Sequence, residues 1–178
     1  MYWLWPWIWT ASFLSQFREG DDIVTTPLIG EDLDDAAELH SEAFAQPWSG
    51  DELGSLLFQP GSFGFVARRV GAPHLPPAGF VLGRFIEGEA EILTIAVSKA
   101  ARRRGVGRLL MDTVLAHLYA ERASALFLEV DEVNEAALAL YHRLRFEEVG
   151  RRPAYYKHED GRRTSALTLK REFDRRPL

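Results

Sequence analysis

Arg102-Arg103-Arg104-Gly105-Val106-Gly107 is the segment of this 178-residue chain whose residue types and spacing most directly imply chemistry. It follows an apolar run ending at Val97 and precedes a stretch whose apolar residues recur every four positions, so it reads as a strand-to-helix turn. The first N–H groups of a helix have no partner within it, and the helix dipole adds partial positive charge there. Glycines at 105 and 107 leave the backbone bare for a pyrophosphate, and the neighbouring arginines add charge-assisted bonds to phosphate oxygens. A solvated basic turn is the plainer alternative, and the position between strand and helix weighs against it. Other phosphate and hydrolytic signatures are missing: the sequence has no G-x-x-x-x-G-K-[ST], no complete G-x-G-x-x-G and no G-x-S-x-G. Its five histidines (40, 74, 117, 142 and 158) never fall four apart, so no metal site is expected. With no cysteine, neither a disulfide nor a thiol nucleophile is available.

Two later side chains stand out. Glu129 interrupts the apolar run 126–130, where a carboxylate has to be solvated or paired. It either faces water at a strand end or serves as a general base. A carboxylate placed there can take a proton from a nucleophile and so activate it. Tyr141 lies seven residues, about two helical turns, after Asn134. Ala137, Tyr141 and Leu144 also form an ordinary buried stripe, so Tyr141 reads equally as a core aromatic and as a working hydroxyl. Trp48, after Pro47, and the Tyr155-Tyr156 pair can cover a core or line a site. Residues 21–52 hold ten acids and no lysine or arginine, either as solvated helix faces or as a rim that attracts a cation.

The elements that must position these residues follow from periodicity. Strands are expected over 23–28, 62–70, 78–86, 91–97, 126–130, 147–156 and 164–170. Helices are expected over 31–44, after Ser49, over 106–121 and from the Asn134 cap to about 144. On the first helix Leu33, Ala36, Ala37, His40, Ala43 and Phe44 share one face. Glu87-Gly88 and Asp160-Gly161 read as hairpin turns. The order β-α-α-β-β-β-α-β-α-β-β makes an α/β domain with one mixed sheet flanked by helices. The chain is 47% apolar and 26% charged, which suits one globular domain and excludes disorder. Residues 1–98 carry 4 basic and 14 acidic side chains, residues 99–178 carry 17 and 12, and 18 of the 21 basic residues are arginine. A positive second half suits a phosphorylated cofactor or a nucleic acid. Met1 to Phe17 holds four tryptophans but no basic residue before Arg18, and Pro6 breaks the run. It reads as an extension (1–20) outside a domain at 21–173, with a tail at 174–178, and not as a signal peptide or membrane span. A cytoplasmic location without membrane association is expected.

At this point the sequence resembles the GNAT acetyltransferase superfamily, whose acyl-CoA signature [QR]-x-x-G-x-[GA] is matched by Arg102 to Gly107. Over about 23–173 it is most similar to the RimI-type ribosomal-protein-alanine N-acetyltransferases. The matches are Pro47-Trp48-Ser49, Ile95-Ala96-Val97, Leu128-Glu129-Val130, Asn134-x-x-Ala137, Ala139-Leu140-Tyr141 and Tyr155-Tyr156. The resemblance implies two parallel strands, ending near Val97 and Val130, that splay to admit acetyl-CoA as cosubstrate, without a metal. It implies backbone pairing at Ile95, Ala96 and Val97, a diphosphate on Arg102, Arg103, Arg104, Gly105, Val106, Gly107 and Arg108, and a pantetheine contact from Asn134. It assigns Glu129 as base and Tyr141 as the acid for the CoA thiolate, with Tyr141 also beside the cofactor. Trp48, Glu129, Tyr155 and Tyr156 then flank a protein N-terminal peptide, most plausibly the alanine of a small-subunit ribosomal protein. No direct nucleic-acid partner is expected. Competing readings are a small-molecule amine or another protein terminus as acceptor, and an inactive acyl-CoA-binding module. Two positions depart from the pattern: Arg145 stands where the family usually has glycine, and Ser165 where an acid is common.

Overall fold

Eleven elements form in the expected order. They are β1 (Ile23–Pro27), α1 (Leu33–Ala43), α2 (Gly50–Leu57), β2 (Ser62–Arg69), β3 (Gly79–Ile86), β4 (Glu89–Val97), α3 (Val106–Ala120), β5 (Ala125–Asp131), α4 (Glu135–Arg143), β6 (Glu147–Lys157) and β7 (Arg163–Glu172). The computed structural model describes residues 22–173 apart from 73, 159 and 160. The expected extension (1–20), the tail (174–178) and Asp160 of the second hairpin turn therefore lie outside the described residues.

The strands make one mixed sheet in the order β1-β2-β3-β4-β5-β7-β6. All neighbours are antiparallel except β4 and β5. Glu87 (φ 52°) and Gly88 (φ 89°) both take left-handed backbone, the conformation a two-residue hairpin needs to match the twist of its strands. One core lies under α3, where Val106, Leu110, Met111, Val114 and Leu118 meet Leu126, Leu128 and Leu169. The opposite face packs Leu28, Leu53, Val66 and Phe80 against α1 and α2.

The first helix differs from the expected 31–44. A 3-10 turn at Gly30–Asp32 precedes α1, and Phe44 is already extended. Asp32 causes the delay: its carboxylate accepts the Ile29 N–H at 3.0 Å and pairs with Arg68 of β2, which ties the helix start to the sheet. The buried face is Ala36, Leu39 and His40, while Ala43 and Phe44 are exposed.

A bulge in β4 positions the site. Leu82 opposes Thr94 and Gly83 opposes Ile92, so Leu93 is an extra residue without a partner. Ile92 consequently packs on the α3 side, whereas Leu93 and Ala96 pack on the α1 side. A bulged strand bends. β4 and β5 pair only at Glu89–Ala125, Ala90–Leu126 and Glu91–Phe127, and beyond Glu91 the two strands diverge.

Candidate active site

The divergence leaves the β5-facing edge of β4 without a strand partner from Ile92 to Val97. Thr94 Oγ1, in that stretch, is buried with no hydrogen-bond partner among the described residues. Free backbone groups on a strand edge are what an amide-containing ligand can pair with. The next residues build the turn that leads into α3. Arg103 (φ 65°) and Gly105 (φ 83°) both take left-handed backbone, and Gly105 leads directly into α3, whose first N–H groups have no partner within the helix. A Cβ on Gly107 would sit 3.5 Å from Leu140 and 3.8 Å from Val97, so its absence opens space between α4 and β4.

The residues of this turn contribute unequally. Arg103, Arg104 and Arg108 are exposed. Arg102 bends back, its Nε donating to the Val97 carbonyl at 3.2 Å. The Val106 side chain is 2% exposed within the core, so only its backbone faces a ligand. Asn134 caps α4 by accepting the Ala137 N–H at 3.2 Å, which leaves its amide nitrogen as the group available to a ligand.

Glu129 alternates with the core residues Leu128 and Val130 and therefore faces away from α3. With Arg84, Glu91, Phe127, Arg152 and Thr168 it lines an open cavity of about 450 Å³. Its Oε1 lies 3.2 Å from the Arg152 Nε, and Arg152 stacks over Tyr155 at 5.7 Å. Arg152 was not legible as its partner, being one of many arginines and 23 positions away in sequence. The β5–β7–β6 register brings the two together, with Glu129 opposite Thr168 and Arg152 opposite Ala166.

Tyr141 is 5% exposed and packs on Phe146, with ring centroids 5.6 Å apart. Burial pushes its phenol up to about 12, and Tyr156 adds to the shift. Burial likewise raises Tyr156 to about 12, with Glu129, Tyr155 and Asp131 contributing. Tyr155 meets Tyr156 edge to face at 5.1 Å and is half exposed. β6 shifts register between Arg152 and Tyr156, with Ala154 at φ 53°, and neither tyrosine is among the residues lining the cavity.

The first departure finds a structural resolution. Arg145 adopts φ 62°, the conformation a glycine would take, and the helix ends as a Schellman motif. Phe146 N–H donates to the Tyr141 carbonyl and Arg145 N–H to that of His142, each at 3.0 Å. Near the second departure, Glu132 stands beside Ser165. Its carboxylate accepts the Ser165 N–H at 2.7 Å and pairs with Arg151 at 2.6 Å, and these contacts hold it below the usual carboxylate range.

Trp48 is not among the residues lining the Glu129 cavity; it is half-buried against the α1–α2 core and stacks on His40 at 5.0 Å. Ser49 closes a capping box with Glu52 at the start of α2.

The sheet thus has one splayed parallel pair, an arginine- and glycine-bearing turn leading into α3, and a carboxylate two residues beyond the last β4–β5 pair. Residues 33–146 match the family model described as Acetyltransferase (GNAT) family, and the chain belongs to that family as an N-acetyltransferase. It is 34% identical over 144 residues to the N-alpha-acetyltransferase RimI of Mycobacterium tuberculosis, covering 79% of this chain and 87% of that one. The [ribosomal protein bS18]-alanine N-acetyltransferase of Escherichia coli K12 is 32% identical over 142 residues, covering 76% and 88%. The crystal structure of the E. coli ribosomal-protein-S18-alanine N-acetyltransferase superposes with a TM-score of 0.78 at 29% identity, over 88% of this chain and 99% of that one. An uncharacterized Mycobacterium leprae protein is 36% identical over 141 residues, 78% of this chain, and the match spans only 38% of its length.

Proposed function

We propose that this chain is an acetyl-CoA-dependent Nα-acetyltransferase acting on the N-terminal alanine of a small-subunit ribosomal protein in the cytoplasm, by direct transfer in a ternary complex. In this reading the pantetheine arm pairs with β4 at Ile95, Ala96 and Val97. The diphosphate rests on the amides of residues 103–108, with Arg103, Arg104 and Arg108 beside it and the Asn134 amide nearby. The observation that carries the reading is Glu129, a carboxylate two residues beyond the last β4–β5 pair that already holds a cation, Arg152. A substrate ammonium takes the place of that guanidinium.

Glu129, directly or through a water, removes one proton, and the amine attacks the thioester carbonyl. The C–N bond forms and the C–S bond breaks, with backbone N–H near Val97 donating to the oxyanion. Tyr141 meets the departing thiolate. The proton the nitrogen sheds on becoming an amide balances the one the thiolate takes up. Trp48, Tyr155 and Tyr156 line the peptide channel.

Incubation with acetyl-CoA and a panel of N-terminal peptides, read by mass spectrometry, should show one acetyl group on an alanine-initiated ribosomal peptide. The reading fails if none is modified. Glu129→Gln should lower kcat about 100-fold while acetyl-CoA affinity by calorimetry stays the same. Unchanged kcat under chemistry-limited conditions removes the base role.

A further inference from the structure

His40 is a buried titratable side chain that the transfer step does not use. It lies on the inner face of α1 and is 3% exposed. A backbone N–H can only donate, so the 3.0 Å contact from the Trp48 N–H to His40 Nδ1 fixes that nitrogen as an acceptor and the ring as the neutral Nε2–H tautomer. The ring is sandwiched between Phe44 at 4.2 Å and Trp48 at 5.0 Å, both nearly parallel to it, and Phe80 of β3 lies 6.4 Å away. The Trp48–His40 contact is the one hydrogen bond made by residues 45–48 among the described residues. For residues 45–48 the imidazole is thus the hydrogen-bonding anchor, beside the packing of Trp48 on the α1–α2 core.

We propose that His40 is a positioning residue for the peptide: its unprotonated Nδ1 pins the Trp48 backbone, its ring seats the Trp48 indole, and proton uptake releases both. The proposal rests on the reading of Pro47-Trp48-Ser49 as a wall of the peptide channel. An imidazolium would set an N–H donor against the Trp48 N–H donor, so the bond cannot survive protonation. Glu52 of α2 is the charged group that faces the ring, and it favours the imidazolium. The Phe44, Trp48 and Phe80 faces carry no charge. Burial outweighs Glu52 and lowers His40 from its ordinary value, so the ring stays neutral near pH 7 and the loop is released only in acid. Acetyl-CoA binding is spared, because the groups that bond or stack on the imidazole are Trp48, Phe44 and Phe80, none of which belongs to the β4 edge 92–97 or the 103–108 turn.

The test uses the full chain, wild type and two variants. In ¹⁵N-labelled wild type without substrate, the Trp48 backbone amide should titrate with a midpoint below the ordinary histidine value. In His40→Asn, whose Oδ1 keeps an acceptor that does not titrate, it should stay flat. The peptide KM of wild type should rise relative to that of His40→Asn by about five-fold as the pH falls through this range, the size of one net hydrogen bond. Comparing the two enzymes on one peptide cancels protonation of the peptide amine. His40→Phe, which keeps the stack and loses the acceptor, should raise the peptide KM at every pH and leave the acetyl-CoA KM unchanged. An amide that does not move in wild type, or a KM ratio that stays flat, overturns the proposal even if His40→Phe fails to fold. Wild type that acetylates no peptide overturns the functional reading instead. Turnover with an unmoved KM ratio overturns the positioning role alone.

Discussion

At the scale of single residues, Tyr141 is constrained most tightly. A phenol held at about 12 keeps its proton throughout the range in which an ordinary tyrosine, near 10, begins to lose it. Its ability to donate is therefore present below pH 10 and is lost only as the pH rises toward the shifted value. A thiolate whose conjugate acid titrates near 8.5, the ordinary thiol value, is a weaker base than this phenolate by roughly three units. In the proposed mechanism complete proton transfer from Tyr141 is accordingly uphill, and the contribution proposed for it is a hydrogen bond to the leaving sulfur. Tyr141→Phe should lower kcat about 100-fold with acetyl-CoA affinity retained. The wild-type pH–rate profile should show no alkaline limb from this group below pH 10, and a limb there that disappears in the variant would contradict its assignment. Glu129 was legible because one carboxylate breaks an apolar run, whereas Arg152 was hidden: only strand register distinguishes it from its neighbours. Trp48 and His40 were both visible as residues, but their bond spans a loop whose path no periodicity encodes.

At the scale of elements, the end of α4 couples stability to the site. The Schellman motif that closes the helix bonds Phe146 to the Tyr141 carbonyl and packs the two rings together, so it helps to hold the Tyr141 backbone and ring. Arg145 completes it from the left-handed region, at a cost of about 1–2 kcal/mol relative to a residue without a Cβ. Arg145→Gly removes that strain, and the greater freedom of glycine in the unfolded chain returns about 0.4–1 kcal/mol of it. The expected net is a stabilisation of about 0.5 kcal/mol, or a Tm higher by about 1–2 °C, with turnover unchanged. Arg145→Ala keeps the Cβ and should give no increase; equal melting of the glycine and alanine variants would refute the strain. Among the elements themselves, α3 was legible because its apolar stripe runs through four turns, and β5 because a short apolar run has to be buried. The bulge at Leu93 was not. No glycine or proline marks it within β4, the glycine at the shift being Gly83 of the partner strand β3, and the bulge keeps β4 paired with β3 while it turns away from β5.

At the scale of the whole molecule, the sheet consists of two antiparallel groups, β1 to β4 and β5-β7-β6, joined by three parallel residue pairs. The core under α3 draws on both groups, so one face is continuous while the upper part of the sheet stays open. A ligand that pairs with the free edge of β4 and rests on the α3 turn fills that opening in the folded state and finds no such site in the unfolded chain. At a concentration 100 times its Kd, acetyl-CoA should stabilise the fold by about 2.7 kcal/mol, which corresponds to a rise in Tm of roughly 5–10 °C for a domain of this size. Gly107→Glu places a carboxylate between Val97 and Leu140 at the mouth of the opening, where it repels a diphosphate and fills the gap. Its Tm without ligand should remain within a few degrees of wild type, and the acetyl-CoA increment should vanish. Hydrogen exchange locates the effect: acetyl-CoA should slow the amides of residues 92–97 and 103–108 in wild type and leave those of β1 and β2 unchanged. An equal Tm increment in both proteins, or protection spread evenly over the sheet, would show that the ligand binds away from the splayed strands.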